Sequence, residues 1–209
     1  CHLSENEKEI IKNASLLHDI GKIGIKDSIL QKEGKLTKEE YEHIKEHAIL
    51  THNILGKVYI SKNFKDVAEI ASSHHEKYDG TGYFKGLKGE EIPLGGRILA
   101  VCDVFDAITS KRHYRDKMEI KDVLKIIIDG KNTHFDENIV NAFMNISTLD
   151  ILKVMLSDNK VEINQTEEIL LKEFNLNKLY DILNNKENIA DKKQKKLVET
   201  FDKYYHYNS

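Results

Sequence analysis

Residues 5–24 read Glu-Asn-Glu-Lys-Glu-Ile-Ile-Lys-Asn-Ala-Ser-Leu-Leu-His-Asp-Ile-Gly-Lys-Ile-Gly, and this stretch decides the fold class. Ile10, Ile11, Ala14, Leu17 and Ile20 recur at steps of three and four, which is one face of an α-helix from Glu5 to Ile20. Ser4 is suited to cap its start, with Glu7 completing a capping box, and Gly21 and Gly24 break the period. The same signals recur further on. Thr37 and Glu40 form a second capping box ahead of a helix that runs to about Leu55 before Gly56. A third helix is expected from about Phe64 to Glu76. Pro93 suits a first helical position, and a mostly apolar helix should follow to about Thr109. Further helices are expected over Glu119–Gly130 and Asp136–Ile146. Between them, Lys77–Glu91 holds Gly80, Gly82, Gly86 and Gly89 with no period and reads as a long structured loop. A short strand over Lys160–Ile163 is the one exception to an all-α reading.

A chain of 209 residues makes one large or two small domains and needs no disulfide or metal staple to fold. Its 32 Lys and Arg against 35 Asp and Glu leave a net charge of −3, which argues against binding a DNA or RNA polymer or a membrane surface. No apolar run approaches the roughly 18 residues of a membrane span, so direct membrane insertion is not expected. Two cysteines, Cys1 and Cys102, match no zinc spacing and fit a reducing cytoplasm. Cys1 in the place of Met suggests a piece of a longer chain. After Ser147 the composition changes. Thr148–Ser209 has no Gly or Pro and keeps a helical period through Ile169, Leu170, Phe174, Leu176, Leu179, Ile182 and Leu183. We therefore expect a domain over 1–147 and a docked helical extension over 148–209. The basic run Lys192, Lys193, Lys195 and Lys196 is flanked by acids and reads as a solvated helix face.

Four groups of residues carry chemistry. His18, Asp19 and Lys22 end the first helix at spacings of one, three and four, on neighbouring helical positions. Three ionisable groups there are costly to bury without a strong partner, and a divalent cation supplies one. His47 lies on the second helix with His43 and His52. His43 is four residues from His47, so the two could instead chelate together. His74 and His75 are adjacent, so they can serve one ion only near a helix end, and the glycine loop follows closely. Asp103 and Asp106 are the only charges in the apolar helix Ile98–Ala107. Histidines and carboxylates in this number, with a lysine, point to metal-activated hydrolysis: an ion pair generates hydroxide and neutralises a phosphate.

In order, these residues resemble the HD-GYP family of HD-domain phosphodiesterases. The resemblance rests on His18-Asp19-Ile20-Gly21-Lys22, His47, and His74-His75-Glu76-Lys77-Tyr78-Asp79-Gly80-Thr81-Gly82-Tyr83-Phe84, followed by Asp103. Arg97-Ile98-Leu99-Ala100, Thr109–Arg115 and Thr133–Asp136 extend it, so that it covers about Leu3 to Ile146. It implies an HD-domain-like helical bundle that hydrolyses cyclic di-GMP, or a related cyclic dinucleotide, to pGpG and in some members to GMP. By position, His18, Asp19, His47, His74, His75 and Asp103 would be metal ligands, with Asp19 bridging two ions. Two or more ions, iron or manganese or zinc, are implied for the intact protein. Lys22 would stabilise the scissile phosphate. Tyr83, Arg112 and Arg115 would hold the dinucleotide. Asp79, Gly80 and Gly82 would shape the loop, the glycines through positive φ.

Three positions depart from the pattern: Phe84, Ala48 and His113 stand where the family has proline. Phe84 is expected to loosen the loop and displace Tyr83. The family also has a helix ahead of the His-Asp pair that supplies another His ligand; this sequence, starting 17 residues before His18, is expected to fall short of it, and His2 is not expected to replace it. Its loss would leave an apolar groove beside the first helix that a homodimer could cover. The expectation is a cytoplasmic phosphodiesterase domain from a signalling protein with a sensory or receiver region ahead of it. A cyclic di-GMP receptor without catalysis is the alternative. An HD-domain mononucleotidase would leave the glycine loop without a purpose.

Overall fold

A computed structural model describes residues 3–58, 64–110, 117–157, 159, 161–185, 189 and 191–207. Helices α1 (Glu5–Leu17), α2 (Asp27–Leu30), α3 (Lys38–Leu55), α4 (Phe64–Ser72), α5 (Leu94–Thr109), α6 (Ile120–Asp129) and α7 (Glu137–Met144) come first. They are followed by α8 (Thr148–Met155), α9 (Gln165–Lys172), α10 (Leu176–Asn184) and α11 (Lys192–Tyr205). The described residues contain no strand, only isolated bridges between Lys131 and Phe135 and between Ser147 and Asn175. The all-α reading holds. The strand expected over Lys160–Ile163 does not form at 161–163, where the chain is irregular and leads into Asn164, the N-cap of α9. No helix among the described residues is long and apolar enough to cross a membrane.

Both capping boxes close as expected. Ser4 accepts from the Glu7 amide while Glu7 accepts from the Ser4 amide, and Thr37 and Glu40 do the same for α3. Each cap stabilises its helix by about 1 kcal/mol. Two ends differ from expectation, and both differences build the site. The first helix stops at Leu17, and Ile20–Gly24 form a 3-10 turn. The third stops at Ser72, where the hydroxyls of Ser72 and Ser73 both bond back to the Glu69 carbonyl, at 3.2 and 2.6 Å. Such back-bonding competes with continuation of the helix.

Contacts group the chain into two compact units, Cys1–Ala107 with Gly130–Ile139, and Ile108–Asp129 with Val140–Ser209. The first unit packs α1, α3 and α4 together around Ile10, Ala14, Leu55, Val67, Ala68, Ala71 and Leu99. The 3-10 turn seats directly on α3. A Cβ on Gly21 would lie 2.0 Å from the His47 carbonyl oxygen, so only glycine allows this approach. The Gly21 amide donates to Thr51 Oγ1 at 3.0 Å, and that hydroxyl donates to the His18 carbonyl at 2.9 Å. A cavity of about 390 Å³ lies beside α1, lined by Leu3, Ile10, Ile11, Ile70, Pro93 and Leu94 with Glu7, Asp66 and Glu69 at its edge.

The second unit is built by α6 and α8–α11 around Leu152, Leu171, Leu176, Leu179, Leu197, Phe201 and Tyr205, all fully buried. The Tyr205 hydroxyl donates to the Met118 carbonyl at 2.6 Å, which satisfies its one polar group.

Candidate metal centre

Four elements of the first unit bring six side chains together. His18 is the residue that closes α1, and Asp19 follows it. His47 is on α3, His74 and His75 lie in the turn after α4, and Asp103 is on α5. His18 Nε2 lies 3.3 Å from Asp19 Oδ2 and 3.7 Å from Asp103 Oδ1. Asp19 Oδ1 faces His47 Nε2 at 3.5 Å and His74 Nε2 at 3.9 Å. The His74 and His75 rings are 3.9 Å apart, and His47 is 5.0 Å from His75. Donor atoms of His47, His74 and His75, and those of His18, Asp19 and His74, each fall within 4.8 Å of one another. The helical alignment expected for His18, Asp19 and Lys22 is replaced by a helix-to-3-10 junction. Lys22 Nζ still reaches Asp19 Oδ2, at 2.5 Å.

One local device orients three of the imidazoles. Nδ1 of His18, His47 and His74 lies 2.7, 2.6 and 2.6 Å from the carbonyl three residues earlier, on Ser15, Ile44 and Ala71. A carbonyl can only accept, so Nδ1 carries the proton and Nε2 is the atom turned to the cluster. Burial lowers the basicity of His47, brings His74 down to about 4, and with neighbouring imidazoles brings His75 to about 3. His47 and His74 are therefore neutral, and their Nε2 atoms, 3.5 Å apart, present lone pairs to each other. Asp19 Oδ1 joins them, buried and with no hydrogen-bond donor among the described residues. Three acceptors thus converge with no proton between them. A divalent cation satisfies all three, and nitrogen with carboxylate oxygen suits iron, manganese or zinc.

The charges on the other side agree. Asp103 and then Asp19 raise His18 to about 10, so that without a metal a proton occupies the position between these carboxylates. Burial would raise the Asp19 carboxyl, but His18 and Lys22 hold it well below the ordinary range. His43 does not join the cluster. Its Nδ1 pairs with Glu46 at 3.0 Å.

The glycine loop brings Tyr83 to the histidines. The Tyr83 amide donates to the His75 carbonyl at 3.2 Å, and its ring lies 4.8 Å from the His75 ring. Asp79 accepts from the amide and hydroxyl of Thr81, at 2.9 and 2.7 Å. Gly80 has φ +86°, as expected, but Gly82 does not have a positive φ. Gly82 is needed for closeness instead, since a Cβ there would lie 2.2 Å from the Lys77 amide nitrogen. Arg112 and Arg115 lie outside the described residues.

Sequence reasoning gave Glu76 no role, yet it ties the loop. Buried to 2% exposure, it accepts the amides of Lys85 and Gly86 on Oε1, at 2.7 and 3.1 Å, and of Leu87 on Oε2 at 3.1 Å. Phe84 is also anchored, against the His52 ring at 5.6 Å and under Lys85 Nζ at 5.5 Å. Lys85 in turn pairs with Glu69 at 2.5 Å. These contacts tie Phe84 to α3 and Lys85 to α4.

Residues 1–139 match the HD domain family. The chain is 44% identical over 141 residues to a probable cyclic di-GMP phosphodiesterase of Vibrio cholerae, covering 63% of this chain and 31% of that protein. It is 45% identical over 144 residues to a cyclic di-GMP phosphodiesterase response regulator of Xanthomonas campestris, covering 68% and 37%. A 3'3'-cGAMP-specific phosphodiesterase of Vibrio cholerae is 42% identical over 143 residues, covering 68% and 27%. The aligned part is about a third of the length of these relatives.

Proposed function

Because this chain belongs to the HD domain family, we propose that it is a cytoplasmic metal-dependent phosphodiesterase. In this reading it hydrolyses cyclic di-GMP to pGpG, with GMP as a further product. The catalytic part is 1–147, and 148–209 is a helical extension. The observation that carries this reading is the convergence of Asp19 Oδ1 with His47 Nε2 and His74 Nε2, three acceptors without a donor. The similarity to proteins named as cyclic dinucleotide phosphodiesterases supports the substrate class.

His47, His74 and His75 with Asp19 would hold one ion, and His18 and Asp103 with Asp19 a second. When bound, these ions supply Lewis acidity and a nucleophilic water at neutral pH. The backbone carbonyls behind His18, His47 and His74 fix each ring in the tautomer that such a ligand needs. Lys22, held on Asp19, offers its ammonium to the charge that builds on the scissile phosphate. Tyr83 closes the histidine face of the site, and Arg112 and Arg115 are assigned to the phosphates of the dinucleotide. A homodimer that covers the groove beside α1 belongs to the same reading, and light scattering tests it.

Incubation of the manganese- or iron-loaded chain with cyclic di-GMP, followed by chromatography, should yield pGpG. Asp19→Ala should yield none. Tight binding of cyclic di-GMP without product would instead make the chain a receptor.

A further inference from the structure

The metal centre borders a row of side chains that the proposed hydrolysis leaves unused. Lys45 is on α3, two residues before His47. Its Nζ lies 5.0 Å from the Tyr41 ring centre and 5.6 Å from that of Tyr83. Tyr83 itself lies 4.8 Å from His75, so this one ring touches both the histidine cluster and the lysine. Tyr41 is one helical turn before Lys45 and is 48% exposed.

A solvated ion pair does not account for this arrangement. Lys45 pairs with Glu42 at 2.7 Å, an i,i+3 contact in which Glu42 is 57% exposed. Such a pair is weak and exchanges readily. It leaves the lysine free to extend into water, yet its side chain is only 28% exposed and its head is held over two tyrosine rings. A cation over aromatic rings is partly stripped of water and ready to trade a weak carboxylate partner for a phosphate.

The ligand's own chemistry supplies that phosphate. A cyclic dinucleotide carries two diesters, and a metal centre with Lys22 can neutralise only the one being cleaved, so the other needs further cations, to which Lys45 would add beside the assigned Arg112 and Arg115. We propose that Lys45 and Tyr41 form a distal subsite, in which Lys45 holds the second phosphate and Tyr41 stacks on a purine. This deepens the phosphodiesterase reading and rests on it for the identity of the ligand. The subsite would make the centre select dinucleotides over single-phosphate nucleotides.

The test is calorimetric titration of the manganese-loaded chain with cyclic di-GMP, used as its hydrolysis-resistant phosphorothioate analogue, and, separately, with GMP, alongside thermal melts. Lys45→Ala should weaken cyclic di-GMP by about 10-fold or more, the range for a lost charge-assisted hydrogen bond. Its effect on GMP should be at least about fivefold smaller, and Lys45→Arg should recover most of the loss. Tyr41→Ala should cost about 5-fold or more, as for a lost base–aromatic stack. The proposal fails if Lys45→Ala binds cyclic di-GMP like the parent. It also fails if both ligands weaken equally, since Lys45 would then act only by holding Tyr83. A parent chain that binds but never cleaves cyclic di-GMP overturns hydrolysis alone, and the variants still decide on Lys45. A parent that binds no cyclic di-GMP overturns both.

Discussion

Replacing Glu76 should unfasten the loop that carries Tyr83, with a size that the bonds themselves set. Oε1 takes two backbone amides and Oε2 takes one, and the carboxylate is buried. Bonds to a charged acceptor contribute about 1.5–3 kcal/mol each. In Glu76→Ala the amides of the exposed residues Lys85 and Gly86 regain water, so the full sum is not lost. About 4 kcal/mol is expected, large for one substitution. Glu76→Gln can keep its oxygen on Lys85 and Gly86 but turns an NH₂ toward the Leu87 amide. It should cost about 2 kcal/mol, for one lost bond and two weakened ones. Urea unfolding followed by helical circular dichroism reads both, since the chain has no Trp. With a slope of about 2 kcal/mol/M, the midpoints should fall by about 2 M and 1 M. Tyr83 should lose its position as the loop loosens, so the Gln variant should bind cyclic di-GMP less tightly while keeping its manganese. Midpoints within about 0.25 M of the parent in both variants would refute the reasoning, as would equal losses for Ala and Gln.

Asp19→Ala should lose most bound metal by elemental analysis and all turnover, because its two oxygens face both halves of the cluster. Lys22→Ala should keep the metal and slow hydrolysis by about 10²–10³-fold, and equal metal loss in both variants would make Lys22 structural. Phe84→Ala should cost about 1–2 kcal/mol, and a double-mutant cycle with His52→Ala should show coupling of about 0.5–1.5 kcal/mol. Burial lowers the basicity of His134, so the unfolded chain binds its proton more readily and stability falls as pH drops through the ordinary His range, near 6.5. Melting temperatures at pH 7.5 and 5.5 should therefore differ more in the parent than in His134→Gln.

What could be read from the sequence was what is written within four residues. Ser4 with Glu7 and Thr37 with Glu40 start helices through bonds between near neighbours, so their residue types suffice. The helix ends are also local, but they depend on competition. Ser72 and Ser73 bond back to Glu69 where α4 ends, a competition that periodicity, which carried that helix to Glu76, does not register. The six side chains of the metal centre were legible as types, since four His and two Asp with Lys nearby are costly to bury apart from a cation. Their meeting was implied only by the family resemblance and not by their own spacing, because it depends on Gly21 seating against the His47 carbonyl, and a glycine does not announce its contact.

The orientation of the imidazoles is local and could have been read: each bonded carbonyl lies three residues back, within helical reach of Nδ1. Glu76 could not, because it binds backbone amides, which every residue but proline carries, and no pattern of side chains marks them. Lys45 and Tyr41 were hidden for the opposite reason. A Lys among acids at helical spacing is the common form of a solvated face, and only the nearness of Tyr83, brought from the glycine loop, separates it from one. The chemistry of this centre thus lies in residue types that the chain displays openly. Its selectivity depends on contacts that exist only once the loop is tied down, and Glu76 is the residue on which the two meet.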